Sequence, residues 1–341
     1  MSIAKAEDSL SKQFNVPEAP IPTLIDKNII NSPIIPPLLN KGDKVAIIAP
    51  ASPSNLSEVS AMVKTMNNIG VECEIGDTVK NPKKNKLSYL STNDKVRSDE
   101  FMHYINRKDI KGIFCARGGY GIMRILDKLD YEEIKNNPKI ILGFSDITAL
   151  LIAIYNKCNI VTYHGPVASS DLNQFSLNYL LPLINKNSYK DSIVYESENI
   201  KSIIKGNSKG KLIGGNLTMI NSLLGTPYEI NTDDSILFLE EIHEEPYKVD
   251  RLLTQLRLSG KFDKCKGIVI GKFDYLNTRL ASTPRFSATS IEVFKDIFSN
   301  FQYPIIYGVP FGHMKNKITL PLGLNCEISD NKKEIKIIYK T

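Results

Sequence analysis

Ser145, Glu240 and His313 are the residues whose types and settings could do chemistry together. Ser145 follows the apolar run Ile140-Ile141-Leu142-Gly143, and a helix-like pattern from Asp146 to Tyr155 begins at once. A serine at a sharp strand-to-helix turn has the setting of a nucleophile elbow, which lifts the hydroxyl clear of the sheet. The helix N-terminus behind it offers free N–H groups to a developing oxyanion. The common elbow is G-x-S-x-G, and Ile147 occupies the last position here, so a serine that merely caps a helix is the plainer reading. Glu240 ends the apolar run Ser235–Leu239, where a carboxylate is costly unless paired. A strand-end acid facing water is the alternative. His313 sits in the turn-rich stretch Gly308-Val-Pro-Phe-Gly-His313, where a surface histidine would be equally at home. The order Ser…Glu…His is workable for acyl transfer, since triad members need only be neighbours in space. His164 and His243 compete for the role of base, although His243 follows Glu240 too closely to pair with it and also reach Ser145. His103 falls in a charged helix.

A second signal is Arg117-Gly118-Gly119-Tyr120-Gly121, three glycines between a strand and a helix. They permit close backbone approach to a ligand. No Lys-Ser/Thr follows and no G-x-G-x-x-G is present, so nucleotide binding is a weak reading. Beside a serine elbow the loop could supply an oxyanion-hole N–H, or it could be a plain tight turn.

The elements that must position these residues follow an alternating rhythm. Lys44–Pro50 reads as a strand. Val59, Met62, Val63 and Met66 mark a helix closed by Gly70. Val71–Ile75 is a second strand, a helix is capped near Asn93, and Ile113–Cys115 is a third strand. Ile122, Ile125, Leu126 and Leu129 are spaced for another helix. The strand to Gly143, the elbow helix and Ile160–Tyr163 complete an α/β unit with a mostly parallel sheet, in which ligands sit at the carboxyl ends of the strands. Residues 1–40 read as an extension, 41–165 as this α/β domain, and 166–206 as a linker with a short helix near Leu177–Leu183. Residues 207–341 read as an α+β domain ending in a hairpin that turns at Asp330-Asn331.

Composition sets limits. Hydrophobic residues make up 42% of the chain, enough for substantial cores, and no stretch approaches the roughly 20 apolar residues of a membrane span. The formal charge of +6 is mild. The densest basic run, Lys80–Lys86, has no nucleic-acid motif around it and reads as a solvated loop. Five scattered cysteines without a C-x-x-C pair, and no secretory signal, fit a reducing, cytoplasmic setting. The four histidines lack metal-ligand spacing, so a zinc site is not expected, and acyl transfer by a serine, a histidine and a carboxylate needs no metal or cofactor.

Six segments, in order, resemble the LD-carboxypeptidase family of serine peptidases: Gly42-Asp43-Lys44-Val45 through Ala49-Pro50-Ala51-Ser52, Arg117–Gly121, Gly143-Phe144-Ser145-Asp146, Gly214-Gly215-Asn216, Leu239-Glu240-Glu241, and Gly312-His313 with Thr319–Gly323. The resemblance covers about residues 41–340. It implies a flavodoxin-like N-terminal domain and a C-terminal swivelling β/β/α domain with the site between them. It implies Ser145 as nucleophile, His313 as general base and acid, Glu240 as orienting carboxylate with the adjacent Glu241 not fully separated from it, and the Gly119 and Asp146 N–H groups as oxyanion hole. The family shares the elbow without its last glycine. The implied substrate is murein tetrapeptide, losing its terminal D-alanine at an L,D bond during cytoplasmic peptidoglycan recycling, and homodimers are common in the family. Arg117 is a candidate for the substrate carboxylate, or else a brace for its own loop. Within the family, a microcin-immunity peptidase acting on a peptidyl-nucleotide amide is the alternative, although the compact Ser145–Glu240 interval leaves little room for its substrate loop. A non-catalytic peptide- or sugar-binding protein is the alternative outside it.

Overall fold

The computed structural model describes residues 32–81, 86–275 and 288–339. The first sheet holds β1 (Lys44–Ile48), β2 (Glu72–Ile75), β3 (Ile110–Cys115), β4 (Ile140–Gly143) and β5 (Thr162–His164). β1, β3 and β4 are short, near-continuous apolar runs, as strands covered on both faces must be, whereas β2 lies at the edge and β5 is the buried triplet Thr162-Tyr163-His164. They pair in parallel in the order 2-1-3-4-5. That is the flavodoxin-like order, whose topological switch point lies between β1 and β3. The loops leaving β1 and β3 carry Pro50–Ser52 and Arg117–Gly121 to that point, and β4 delivers Ser145 beside it.

Continuing along the chain, β6 (Ser192–Glu196), β7 (Lys201–Ile204), β8 (Asn207–Asn216), β9 (Ser235–Glu240), β10 (Gly267–Ile270), β11 (Ile305–Tyr307), β13 (Asn325–Ser329) and β14 (Glu334–Ile338) form a second sheet. Its middle, β8-β9-β10-β11, is parallel, and the antiparallel pairings flank it. The remaining strand, β12 (Leu320–Leu322), leaves this half of the chain and pairs antiparallel with β5 on the edge of the first sheet. The elbow helix Thr148–Cys158 joins the halves from the other side. Its Thr148 hydroxyl accepts the Asn216 N–H at 3.1 Å, and its Asn156 amide donates to the Glu229 carbonyl at 2.8 Å.

Several local expectations change. Ile122–Leu129 is two 3₁₀ turns, Ile122–Arg124 and Leu126–Lys128, and not a continuous α-helix. The apolar residues are buried as their spacing requires, but Asp130 caps a new helix at Tyr131 and Arg124 is drawn onto Asp94 at 2.8 Å. The stretch read as a linker carries the helix Gln174–Ile184 and strands β6 and β7. Of the N-terminal extension, residues 1–31 lie outside the described residues, while Ile34 bridges to Ile160 and the fully buried Leu39 to Asn185. Residues 82–85 of the basic run also lie outside them. The 325–339 hairpin forms as β13 and β14.

Candidate active site

Ser145 stands immediately beyond β4 with φ of 65°, a left-handed conformation that a residue with a Cβ adopts at a cost of about 1–2 kcal/mol. Its side chain makes no capping hydrogen bond among the described residues. Phe144, extended, is the residue before the turn, and no side-chain capping bond is made there. The helix-capping alternative therefore does not describe this serine. Ile147 takes the position of the missing elbow glycine and is wholly buried, seated over Gly143. A Cβ on Gly143 would lie 2.8 Å from the Ile147 Cγ2, so the glycine at the start of the turn makes room for the isoleucine at its end.

Asp146 ties the elbow to the glycine loop. Its carboxylate accepts the Ile122 N–H at 2.9 Å, and burial pushes its carboxyl up to about 6 against the opposing pull of that N–H and of Arg97. Gly119, in the same loop, has φ of 90°, and no backbone acceptor among the described residues takes its N–H. Ser52 supports the loop from β1: its N–H donates to the Gly118 carbonyl at 3.2 Å and its hydroxyl accepts the Tyr120 N–H at 3.1 Å. Arg97, fully buried, clasps both loops, donating to the Pro50 carbonyl at 2.5 Å, the Gly121 carbonyl at 2.9 Å and the Asp94 carboxylate at 2.6 Å. Sequence reasoning missed Arg97. The available signal was an arginine on the buried stripe Arg97, Phe101, Tyr104 and Ile105 of the helix Asp94–Asn106. Arg117 is exposed at the rim of the loop, and the brace is Arg97.

Glu240 ends β9 with no exposed surface, and its Oε2 lies 2.7 Å from His313 Nδ1. Gly312 makes that contact reachable. It has φ of 86°, and a Cβ there would run into the Glu240 carboxylate. The adjacent Glu241 is engaged elsewhere, accepting from the Asn216 amide at 3.0 Å, the Thr218 N–H at 2.8 Å and the Ile242 N–H at 2.9 Å. Of the two carboxylates, Glu240 is the one that meets the histidine. The loop bearing His313 is anchored by the helix Gln174–Ile184. Asn173, its cap, donates to the Asn316 side chain at 2.8 Å, and Ser176 Oγ accepts the Lys317 N–H at 3.2 Å.

His313 and the elbow meet across Phe144, whose ring packs edge-on to the imidazole with centroids 4.8 Å apart. Among the described residues Ser145 and His313 form no direct hydrogen bond. Buried His164 lies on the far side of the carboxylate, its Nε2 3.9 Å from Glu240 Oε1, and neither atom has a hydrogen-bond partner among the described residues. Burial pushes His164 down to about 4 against the pull of Glu240, so it is neutral near pH 7. His243 is exposed and belongs with Asp274, and His103 lies on the surface beside Tyr104. No group of three or more His, Cys, Asp or Glu side chains among the described residues is arranged to hold a metal ion. Among the same residues no helix is long and apolar enough to cross a membrane.

The arrangement offers a strained hydroxyl, a glycine-loop N–H at Gly119 that no backbone acceptor among the described residues takes, and a histidine whose Nδ1 is fixed by a buried carboxylate. Known proteins share the framework. The LD-carboxypeptidase N-terminal domain matches residues 45–165, and the LD-carboxypeptidase C-terminal domain matches residues 209–328. A probable murein peptide carboxypeptidase of Bacillus subtilis (strain 168) is 32% identical over 302 residues, which cover 87% of this chain and 92% of the relative. The crystal structure of muramoyltetrapeptide carboxypeptidase from Oxalobacter formigenes superposes with a TM-score of 0.74 at 30% identity, covering 86% of this chain and 97% of that one. The structure of MccF in complex with glutamyl sulfamoyl guanosine superposes with a TM-score of 0.79 at 25% identity, covering 91% and 99%. With both halves matched in order, this chain belongs to the LD-carboxypeptidase family.

Proposed function

We propose that this protein is a serine carboxypeptidase that removes the terminal D-alanine of murein tetrapeptide at an L,D amide bond through an acyl-enzyme, as a step of cytoplasmic peptidoglycan recycling. The observation that carries the reading is the 2.7 Å contact between His313 Nδ1 and the wholly buried Glu240, on a loop packed against the residue that precedes Ser145. Glu240 holds the imidazole with Nε2 toward substrate. His313 takes the Ser145 proton as Ser145 Oγ attacks the carbonyl carbon, and the Gly119 and Asp146 N–H groups receive the oxyanion. The carbon–nitrogen bond then breaks, His313 gives the proton to the departing D-alanine amine, and water hydrolyses the ester by the same route in reverse. The absence of a Ser145–His313 hydrogen bond is compatible with this, because such contacts often tighten only when substrate binds.

The overlay on MccF favours a second reading, cleavage of an aminoacyl- or peptidyl-nucleotide amide by the same residues. A substrate panel separates them. The carboxypeptidase reading expects free D-alanine from murein tetrapeptide, undiminished by EDTA, and little turnover of an aminoacyl sulfamoyl nucleoside. Rapid cleavage of the nucleoside compound with no release of D-alanine would transfer the assignment to the second reading.

A further inference from the structure

Lys317 has a place in the site that the triad does not use. The residue is 6% exposed, and its ammonium makes no hydrogen bond or ion pair among the described residues. The ammonium lies 5.2 Å from the centroid of the Phe144 ring, the same ring that packs on His313 and that precedes Ser145 in the chain. Two carboxylates act on it from a distance, Asp171 and Glu240. Asp171 is held by Lys315 at 3.3 Å on the surface, and Glu240 by His313. A buried ammonium without a counter-ion is costly, and a ligand bound beside Phe144 can supply the missing anion. The carbon of a terminal carboxylate lies under about 4 Å from the carbonyl carbon attacked in the preceding residue. A substrate whose scissile carbonyl sits at Ser145 therefore carries its carboxylate into the neighbourhood of Phe144.

We propose that Lys317 is the group that recognises the free terminal carboxylate of the substrate, and so makes the enzyme an exopeptidase; the proposal rests on the carboxypeptidase reading above. Arg117, exposed at the loop rim, lies in water where a carboxylate gains least from a cation.

The test compares murein tetrapeptide with its C-terminal amide. Hydrolysis is measured for wild type and Lys317→Met, and calorimetric binding is measured on the inert Ser145→Ala background with and without Lys317→Met. Methionine keeps most of the buried stem and removes the charge. With Lys317 present, the free acid is favoured over the amide by about 10- to 100-fold, the range expected of a charge-assisted hydrogen bond. In the Lys317→Met variant that ratio falls toward one, and Lys317→Arg restores part of it. An equal fall for acid and amide, with the ratio kept, would make Lys317 a packing residue and overturn the proposal, as would a ratio near one when Lys317 is present. Absence of hydrolysis by wild type beside a Lys317-dependent binding preference would sink the peptidase reading while supporting the carboxylate site.

Discussion

Replacing Glu240 by glutamine removes one charge and leaves the shape of the site almost unchanged. In the proposed reaction His313 becomes an imidazolium beside Glu240, which is wholly buried with its Oε2 2.7 Å from the histidine Nδ1. Charge centres about 4 Å apart attract by about 4 kcal/mol at an effective dielectric constant of 20. On the proposed mechanism that interaction is gained as the proton is transferred, so it lowers the barrier directly. About 4 kcal/mol corresponds to about a thousandfold in rate. Glu240→Gln should therefore lower kcat for D-alanine release by about 10³ with little change in KM. Stability should hold or rise, because a buried charge has been removed. Glu241→Gln is the control: its three hydrogen bonds are structural, so it should cost stability and spare most of kcat. Steady-state kinetics with thermal denaturation on the same samples reads both effects. A loss in kcat below tenfold for Glu240→Gln, or a greater loss for Glu241→Gln, would show that the Glu240 charge does not stabilise an imidazolium at His313.

Three further outcomes are expected. Arg97→Met frees the carbonyls of Pro50 and Gly121 and strands Asp94, so it should cost about 3–5 kcal/mol of stability and lower kcat on the order of 10² by misplacing the Gly119 N–H; an undiminished kcat in the folded protein would show that the clasp does not position the loop. Asp146 has a native pKa raised to about 6 from 3.8, so its contribution to stability is fully present below about 3.8 and is lost as pH rises through 6. Urea titrations should show Asp146→Asn gaining on wild type by up to about 3 kcal/mol between pH 4 and pH 7.5, and a gap independent of pH would contradict that sign. At Ser145, glycine relieves the left-handed strain that alanine keeps, so Ser145→Gly should be about 1 kcal/mol more stable than Ser145→Ala, both being inactive; equal melting temperatures would argue against strain at the elbow.

The parallel sheet and the elbow were legible because their signals are local. Apolar runs ending in Gly143-Phe144-Ser145 or Arg117-Gly118-Gly119 name both a strand and what leaves its carboxyl end. The separation of Glu240 from Glu241 was not legible. Two adjacent carboxylates differ only in which face of the strand end they take, and Gly312 decides which one His313 reaches. The 122–129 stretch shows a helical apolar period yet folds as 3₁₀ turns, because Arg124 and Asp130 have stronger engagements than another helical turn provides. Lys317 gave no sign in a stretch with Lys315 and Asn316, since burial of a loop lysine is settled by what packs over it. The role of the helix Gln174–Ile184 in anchoring the His313 loop depends on contacts about 140 residues apart in sequence, for example Ser176 to Lys317.

The most direct test of the central claim is release of free D-alanine from purified murein tetrapeptide by wild type and by Ser145→Ala, each confirmed to be folded. Release is expected from wild type and none above background from the variant. Equal release by both would remove Ser145 as nucleophile and with it the mechanism built on the contact between His313 and Glu240.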